Sequence, residues 1–249
     1  MVARCTRSIC SICTTTARKA GSKPAAARAV ALVREGRAKL LMKGALHTDE
    51  LLREVVRADT GLRTARRLSH VYVLDVPGYA RPLFLTDAAI NIAPTLEDKV
   101  AIVQNAIELA QTLGVAIPKL AILAAVEVVN PAMRSTIDAA ALCKMAERGQ
   151  IVGGVLDGPL AFDNAISPEA ARDKGIVSPV AGFADILVVP DLEAGNMLAK
   201  QMTCMGGADA AGIVLGARVP IILTSRADNA RTRLASCAVA AILAATPRG

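Results

Sequence analysis

Short apolar runs alternate with amphipathic stretches between residues 38 and 246, and this alternation predicts a series of strands and helices. The apolar runs that we interpret as strands are residues 39–42, 71–76, 83–86, 120–125, 151–156, 185–189, 211–215 and 219–224. Strands that alternate with helices usually form parallel βαβ units. The pattern therefore predicts an α/β protein with a mainly parallel sheet and helices on both faces.

Capping signals delimit several of the predicted helices. A helix with apolar positions at helical spacing begins near Ala25. Further helix starts combine a Ser or Thr with an acidic residue within three positions, at Thr48, Thr95 and Ser167. The predicted helix stops are glycines: Gly36, Gly61, Gly114 and the pair Gly206-Gly207. These signals place helices between most of the predicted strands.

Polar side chains follow several predicted strands. In open α/β sheets, ligands bind beyond the carboxyl ends of the strands, where helix N-termini also point. The candidate residues at these ends are Asp87, Asp157, Asp191, Ser225 and Arg226. One edge of the predicted sheet thus collects carboxylates, a hydroxyl and a guanidinium.

Among these candidates, the pair Ser225-Arg226 is the most specific indication of a ligand site. A hydroxyl that caps the last helix, next to a guanidinium, offers hydrogen-bond donors suited to a phosphate. An ordinary Ser N-cap with a solvated Arg226 explains the same pair. Asp228, expected one turn into that helix, is either a general base or a residue that favours the helix dipole.

Two further turns carry polar residues. Residues 157–164 follow a predicted buried strand and contain Asp157, Asp163 and Asn164, which turn chemistry alone would partly explain. Residues 193–196 begin a helix and end in Asn196, and the glycine before it permits close approach of the backbone to a ligand. We expect no P-loop or nucleophile-elbow chemistry, because neither motif is present.

The composition of the chain excludes several classes of function. The chain has 249 residues, 53% of them apolar, so a large core is available and disorder is excluded as the main state. Aromatic residues make up 2%, which leaves no stacking platform for single-stranded nucleic acid. The apolar stretches are too short to span a bilayer as helices. We therefore expect a soluble protein without nucleic-acid or membrane partners.

The cysteines predict neither disulfides nor a metal site. Three of the six lie in the first thirteen residues, and Cys143, Cys204 and Cys237 are scattered through helix-like stretches. Cys10 and Cys13 have the spacing of half a zinc site, but no second pair of ligands follows. We expect no metal.

Residues 1–22 are interpreted as a basic arm. They contain no acidic residue and no sustained hydrophobic period, so they resemble a transit peptide, a solvated arm or a misassigned start. The net charge of +7 originates in the first 34 residues, which carry seven basic residues and no acid. The remaining chain has 22 basic and 22 acidic residues, and whole-chain charge therefore says little about the partner.

Five phrases of the sequence together resemble one known family. They are residues 41–44 (LMKG), 86–94 (TDAAINIAP), 157–165 (DGPLAFDNA), 185–196 (DILVVPDLEAGN) and 223–228 (LTSRAD). In this order they resemble the phosphate acetyltransferase and phosphate butyryltransferase family over about residues 25–246. The phrases look more like the butyryltransferase branch, and like the transferase part of enoyl-CoA hydratase/phosphate acetyltransferase fusions.

The resemblance implies an acyltransferase that reversibly transfers a short acyl group, acetyl or butyryl, between coenzyme A and inorganic phosphate. Acyl-CoA, phosphate and acyl phosphate would be its substrates, without a permanently bound cofactor. It also implies a cytoplasmic homo-oligomer with the two-domain fold of isocitrate and isopropylmalate dehydrogenases and a site in the interdomain cleft. We expect a first domain of residues 23–70 and 220–249 and a second of residues 71–219.

By position, Ser225 and Arg226 match the Ser-Arg pair that binds phosphate in this family and stabilises developing charge. The acetyltransferase base, seven residues after the serine, is replaced here by Thr232, so Asp228 is our substitute, with Asp157 and Asp163 as alternatives. The matching phrases add the following candidate substrate-binding residues: Lys43, Asp87, Asn91, Asp157, Asp163, Asn164 and Asn196.

Two departures from the family open alternatives. An arginine expected before the 51–52 helix is replaced by Glu50, so Lys43 or Arg63 would have to supply that positive charge. The family's first strand-helix-strand section has no counterpart, which suggests an N-terminally truncated first domain. The alternative function is therefore a catalytically weak domain that binds CoA or a partner. A decarboxylating dehydrogenase of the same fold is a third reading, but it lacks the acid cluster of a metal site.

Overall fold

A computed structural model describes residues 22–225 and 228–246. Cys5, Cys10, Cys13 and Arg226 lie outside the described residues. The chain divides into two compact units, Met1–Arg66 with Ile213–Gly249, and Arg67–Gly212. Their boundaries fall after residues 66 and 212, a few residues before the expected positions 70 and 219.

Eight strands are assigned in the described residues: β1 (Leu41–Met42), β2 (Ser69–Asp75), β3 (Leu83–Thr86), β4 (Lys119–Leu123), β5 (Val155–Leu160), β6 (Ile186–Val188), β7 (Asp209–Leu215) and β8 (Ile221–Ile222). The helices are α1 (Ser22–Arg34), α2 (Thr48–Val55), α3 (Leu96–Thr112), α4 (Arg134–Glu147), α5 (Phe162–Ile166), α6 (Pro168–Asp173), α7 (Leu192–Cys204) and α8 (Ala230–Ala245).

The first unit contains α1, α2 and α8 with β1, β8 and the end of β7. Strand β1 runs parallel to β8, with Leu41 opposite Ile221, and β7 pairs with β8 in the antiparallel sense. Helix α8 contacts β1 through the Sγ of Cys237, which lies 3.8 Å from the Sδ of Met42. Since β1 and β8 are parallel, the segments that follow them leave the sheet at the same edge.

The second unit is built on the strand order β2-β3-β6-β4-β5. Strand β2 is antiparallel to β3, whereas β3, β6, β4 and β5 are mutually parallel neighbours. The predicted mainly parallel α/β arrangement is therefore confirmed. Its core clusters apolar side chains from these strands and from α6 and α7, among them Leu85, Leu123, Leu187, Ala171 and Met202.

Local capping chemistry explains several helix ends. At α3, Thr95 Oγ1 accepts from Asp98 N and an Asp98 oxygen accepts from Thr95 N, which confirms the predicted capping box. Ser167 caps α6 through the N–H of Ala170. Helix α2 ends at Val55 rather than at Gly61, because the chain turns back there and Leu62 N donates to Val55 O.

The fifth strand was placed too early by the sequence. Residues 151–154 form an irregular segment, and Gly153 adopts a φ of 87°. A Cβ at Gly154 would lie 2.6 Å from Leu120 Cδ1, so this segment packs tightly beside β4 instead of joining it. Pairing begins with the bond from Val155 N to Pro118 O, and Asp157 therefore lies within β5 rather than in the turn after it.

Candidate active site

In the first unit, Lys43 and Ser225 follow the carboxyl ends of the parallel strands β1 and β8. Lys43 continues the pairing for one residue, since its N–H donates to Ile222 O at 3.0 Å. Its side chain is only 6% exposed, and the ammonium donates to Leu46 O at 3.3 Å. The fold thus places a buried cation and an exposed serine at one edge of this unit.

These two residues border a cavity of about 280 Å³. The lining residues are Met42, Lys43, Gly44, Ala45, Thr224, Ser225 and Arg233. The side chains of these described residues include an ammonium, a guanidinium and two hydroxyl groups, and the Asp228 carboxylate lies next to Ser225, 2.6 Å from its backbone nitrogen. Cationic and hydroxyl side chains of this kind suit a small anion.

Ser225 is not the N-cap of the last helix, contrary to our prediction. Helix α8 begins at Ala230, and its cap is Asn229, whose Oδ1 accepts from Thr232 N at 2.8 Å. Ser225 instead hydrogen-bonds to Asp228, the residue that precedes this cap.

Asp228 lies ahead of the helix and not one turn into it, as we expected. Its Oδ2 accepts from Ser225 N at 2.6 Å, and its own N–H donates to Ser225 O at 3.2 Å. The carboxylate therefore fixes the backbone at Ser225. Arg226 lies outside the described residues.

Arg233 was missed by sequence reasoning, although it lines the cavity beside Ser225. A signal was present: the first four residues of α8 contain Arg231 and Arg233 and no acid. Arg63, the alternative source of positive charge, is not among the lining residues. Its backbone forms an isolated antiparallel bridge with Ala217.

In the second unit, Asp87 follows β3 and is almost fully buried, with 3% exposure. Its Oδ1 accepts from Ala89 N and Ile90 N at 3.0 Å. Its Oδ2 accepts from the backbone N–H and the side-chain amide of Asn91. The carboxylate is thus engaged by four donors of the turn that it begins.

Asn91 also forms hydrogen bonds with residues that precede β2. Its Oδ1 accepts from Arg67 Nε at 2.7 Å, and its amide donates to Leu68 O. Arg67 also forms an ion pair with Asp98, with 2.8 Å between Nη1 and Oδ1. These contacts tie the turn to α3 and to the start of β2.

Asn196 belongs to the same edge, since its amide donates to Ala88 O at 3.2 Å. Gly195, which we expected to let the backbone approach a ligand, instead lets α7 approach this turn. A Cβ there would lie 2.9 Å from Asp87 O and 3.0 Å from Ala88 Cα. The close approach is therefore a contact within the protein.

His70, on β2, is completely buried near Asp87 and was not a candidate from the sequence. Burial lowers the pKa of its imidazole to about 4, although the Asp87 charge acts in the opposite direction. Its ring packs edge-on against Tyr72, with 4.4 Å between centroids. The imidazole is accordingly neutral at physiological pH.

The carboxyl end of β5 leads to a third group of candidates. Asn164, on α5, is fully buried and donates to Glu127 Oε1, which also accepts from Lys174 at 2.5 Å. The Lys174 hydrogen bond holds the pKa of Glu127 below its usual value. Asn164 Oδ1 has no hydrogen-bond partner in the described residues. Glu127 and Lys174 were missed because they lie 37 and 47 residues from their partners.

Asp157 and Asp163 form no hydrogen bond with Asn164, Glu127 or Lys174 among those given for the described residues, although the hydrogen bond to Glu127 and, less strongly, the Asp163 charge raise the pKa of Lys174. Asp157 Oδ1 accepts from the adjacent Gly158 N at 2.8 Å, and Asp163 is exposed on α5. Cys143 lies near Gly158, and burial, assisted by the Asp157 charge, raises the pKa of its thiol to about 12. This thiol is a core group rather than a nucleophile.

The structure therefore brings the candidates together in three places: Lys43, Ser225 and Asp228 in the first unit, Asp87, Asn91 and Asn196 at the end of β3, and Asn164 near the end of β5. Among residues 22–225 and 228–246, no three His, Cys, Asp or Glu side chains are grouped so as to hold a metal ion. In the same ranges no helix is long and apolar enough to cross a membrane.

Comparison with known proteins gives a consistent set of relatives. The family profile described as "Phosphate acetyl/butaryl transferase" matches residues 7–241, and so begins inside the segment that we interpreted as an arm. The chain is 70% identical over 227 residues to the phosphate acetyltransferase of Rhizobium meliloti, covering 91% of this chain and 72% of that protein.

Of two less similar relatives, one is named a phosphate acetyltransferase and the other a phosphate butyryltransferase. The phosphate acetyltransferase of Rickettsia prowazekii is 58% identical over 223 residues, covering 89% of this chain and 64% of that protein. The phosphate butyryltransferase of Clostridium beijerinckii is 49% identical over 223 residues, covering 90% and 74%. The chain thus spans about two thirds to three quarters of the length of these relatives.

Solved structures extend the comparison to the fold. A branched-chain phosphotransacylase from Enterococcus faecalis V583 superposes with a TM-score of 0.83 at 38% identity, covering 91% of this chain and 81% of that one. A dehydrogenase structure from Salmonella typhimurium superposes with a TM-score of 0.54 at 14% identity, covering 89% and 69%. The latter likeness concerns the fold alone, and it agrees with the dehydrogenase-like fold that we expected.

Proposed function

This chain belongs to the phosphate acetyltransferase and butyryltransferase family, and on that premise we propose that it catalyses reversible acyl transfer between CoA and inorganic phosphate. The acyl group is short, acetyl or butyryl. The observation that carries the proposal is the cavity of the first unit, which Lys43, Ser225 and Arg233 line. The volume of this cavity and these side chains support the binding of an anion the size of phosphate.

The reaction needs no metal and no covalent enzyme intermediate. In one direction, a phosphate oxygen attacks the thioester carbon of acyl-CoA, the C–S bond breaks, and CoA leaves with the electron pair and takes up a proton. In the other, the thiol loses its proton and its sulfur attacks the acyl phosphate carbon, and phosphate leaves. Both directions pass through a tetrahedral oxyanion, which hydrogen-bond donors and cations stabilise.

We assign phosphate binding to Ser225 and Arg226, the pair that matches the family's Ser-Arg motif. Lys43 supplies the positive charge that the sequence lacks at Glu50. Its ammonium is already desolvated, so its attraction to a bound anion is stronger than that of an exposed lysine. Asp228 sets the backbone at Ser225, which supports a positioning role. Asp157 and Asp163 then stay candidates for the general base.

For the second unit we propose that the candidate substrate-binding residues act mainly by shaping the turns that face the substrate. Asp87, Asn91 and Asn196 are engaged by neighbouring backbone and side-chain groups. Asn164 is the exception, because its buried Oδ1 has no partner in the described residues and is suited to accept a hydrogen bond from a substrate amide.

CoA enters this scheme as a substrate and not as a resident cofactor. We further propose that the enzyme acts in the cytoplasm as a homo-oligomer, in keeping with the family resemblance. Since the chain covers 64–74% of the relatives compared, a direct assay of the chain itself is essential.

The test mixes the protein with CoA and acetyl or butyryl phosphate and follows loss of free thiol. We expect thiol loss that depends on enzyme and acyl phosphate, with one phosphate released per thiol consumed. Absence of this signal with both acyl phosphates contradicts the proposal. Thermal stabilisation by CoA or phosphate without turnover would instead indicate a binding domain of the same family.

A further inference from the structure

We propose that Arg233 is a phosphate-binding residue of this enzyme, which acts with Lys43 and Ser225 at the cavity that all three line. The inference rests on the proposed function and identifies an additional residue at the same site. Arg233 is not part of the five phrases that carry the family resemblance. We single it out because it lines the cavity of about 280 Å³ together with Lys43 and Ser225.

The position of Arg233 is fixed by the start of α8. Asn229 caps the helix, and Arg233 N donates to Asn229 O at 3.3 Å, which closes the first helical turn. Arg233 is therefore the fourth helical residue. The turn held by Asp228 brings Ser225 to the same cavity just ahead of the helix. Two separate local structures thus place Ser225 and Arg233 at the border of one cavity.

The charge pattern of α8 is unfavourable for the helix itself. Cations near a helix N-terminus oppose the macrodipole, whereas acids stabilise it. Five helices in the described residues follow this rule with an acid in the first turn, namely α2, α3, α5, α6 and α7. Helices α1, α4 and α8 have none there; α4 begins with Arg134, and α8 carries Arg231 and Arg233. A bound anion offsets this unfavourable interaction at Arg233, because the guanidinium and the positive end of the helix dipole both attract the anion.

Lys43 gives a second reason to expect a phosphate in this cavity. Lys43 is a buried lysine, and it lines the same cavity. A phosphate in the cavity places its oxygens against the ammonium, the guanidinium and the Ser225 hydroxyl at once. A guanidinium is especially suited to this task, since its planar fork matches two phosphate oxygens.

The experiment compares Arg233→Ala with Arg231→Ala. Both remove one positive charge from the first turn of α8, but Arg231 does not line the cavity. In the direction acyl-CoA plus phosphate, we expect Arg233→Ala to raise the KM for phosphate at least tenfold and to change the KM for acyl-CoA less than twofold. Arg231→Ala should change both by less than twofold, and Arg233→Lys should recover part of the loss.

Phosphate-dependent thermal stability provides a readout without turnover. We expect phosphate to raise the Tm of the wild type and of Arg231→Ala, and to raise that of Arg233→Ala much less. If the wild type binds phosphate in this way but does not turn over, the proposed function fails and the inference stands. Equal phosphate KM and equal phosphate-induced Tm shifts in Arg233→Ala and wild type overturn the inference.

Discussion

At the end of β3 in the second unit, the buried Asp87 carboxylate is surrounded by four N–H donors of its own turn. At the ends of β1 and β8 in the first unit, Lys43, Ser225 and Arg233 instead border a cavity. Both groups lie where strands end and helices or turns begin, and both look equally functional in the sequence. They differ in what the polar groups contact.

This difference separates residues that hold a site from residues that bind a ligand. A carboxylate that accepts several protein N–H groups has little capacity left for a substrate and contributes mostly to stability. Polar groups that line a cavity can exchange water for a ligand. We therefore expect substitutions in the Asp87 network to change stability first, and substitutions around the cavity to change phosphate kinetics first.

The largest effect is expected for Asp87→Ala. The substitution removes the acceptor of four N–H groups in a buried turn, and we expect the free energy of unfolding to fall by about 3 kcal/mol. Urea unfolding of the variant and of wild type measures it. Asp163→Ala, at an exposed helix position, is the control, with a change within about 0.5 kcal/mol. Unchanged stability combined with a large rise in the KM for CoA would make Asp87 a direct ligand.

Arg226→Ala should lower turnover with phosphate more than tenfold, equivalent to about 1.4 kcal/mol or more of transition-state stabilisation. The physical reason is the loss of a forked donor at the developing negative charge. Steady-state kinetics in both directions measures the effect, and the free energy of unfolding should stay within about 0.5 kcal/mol of wild type. Wild-type kinetics would remove Arg226 from the mechanism.

The buried His70 predicts a pH-dependent stability of the second unit. Burial holds the pKa of the folded-state imidazole at about 4, below the usual value of about 6.5 for an unfolded chain. Between these values the unfolded state binds a proton that the folded state does not. Stability should therefore fall as the pH is lowered from about 6.5 to 4, by up to about 1.4 kcal/mol per pH unit, and His70 should contribute no slope above this window.

Urea unfolding at several pH values tests this for wild type and His70→Gln. The variant should lose the His70 part of the slope, while its phosphate KM should follow that of wild type. A variant with the same pH dependence as wild type would show that His70 does not titrate as its burial requires.

The smallest effect is expected for Asp228→Asn. The amide oxygen can still accept from Ser225 N, so kcat should fall less than tenfold, whereas Asp228→Ala should lose more because the turn is released. Kinetics of the two variants measures the difference. If Asp228→Asn is as damaging as Asp228→Ala and removes the basic limb of the pH profile, Asp228 is a general base instead of a positioning residue.

Local signals predicted much of the fold. Strand Leu83–Thr86 was recognised as a continuous apolar run, and the α3 capping box follows from residues three positions apart. The error at β5 arose because Ile151 is buried in a loop, so an apolar run does not always mean a strand.

The site was only partly predictable, because several of its contacts depend on how the chain folds and not on neighbouring residues. Ser225 was found because it follows a predicted strand, and Lys43 because it lies in a phrase that resembles the family; the parallel pairing of β1 and β8 was not visible in the sequence. Arg233 was not found, because its position depends on whether Ser225 or Asn229 caps α8. Glu127 depends on partners far along the chain, Asn164 and Lys174, which only the fold brings together.

The central claim is that the cavity of the first unit, and not the strand ends of the second, holds the phosphate. A crystal structure of the full chain grown with phosphate as the only polyanion tests this most directly. We predict one phosphate within hydrogen-bond distance of Ser225 Oγ and the Arg233 guanidinium, with Lys43 Nζ facing it. Phosphate bound at Asn164 or Asn196, with that cavity holding only water, would contradict the account.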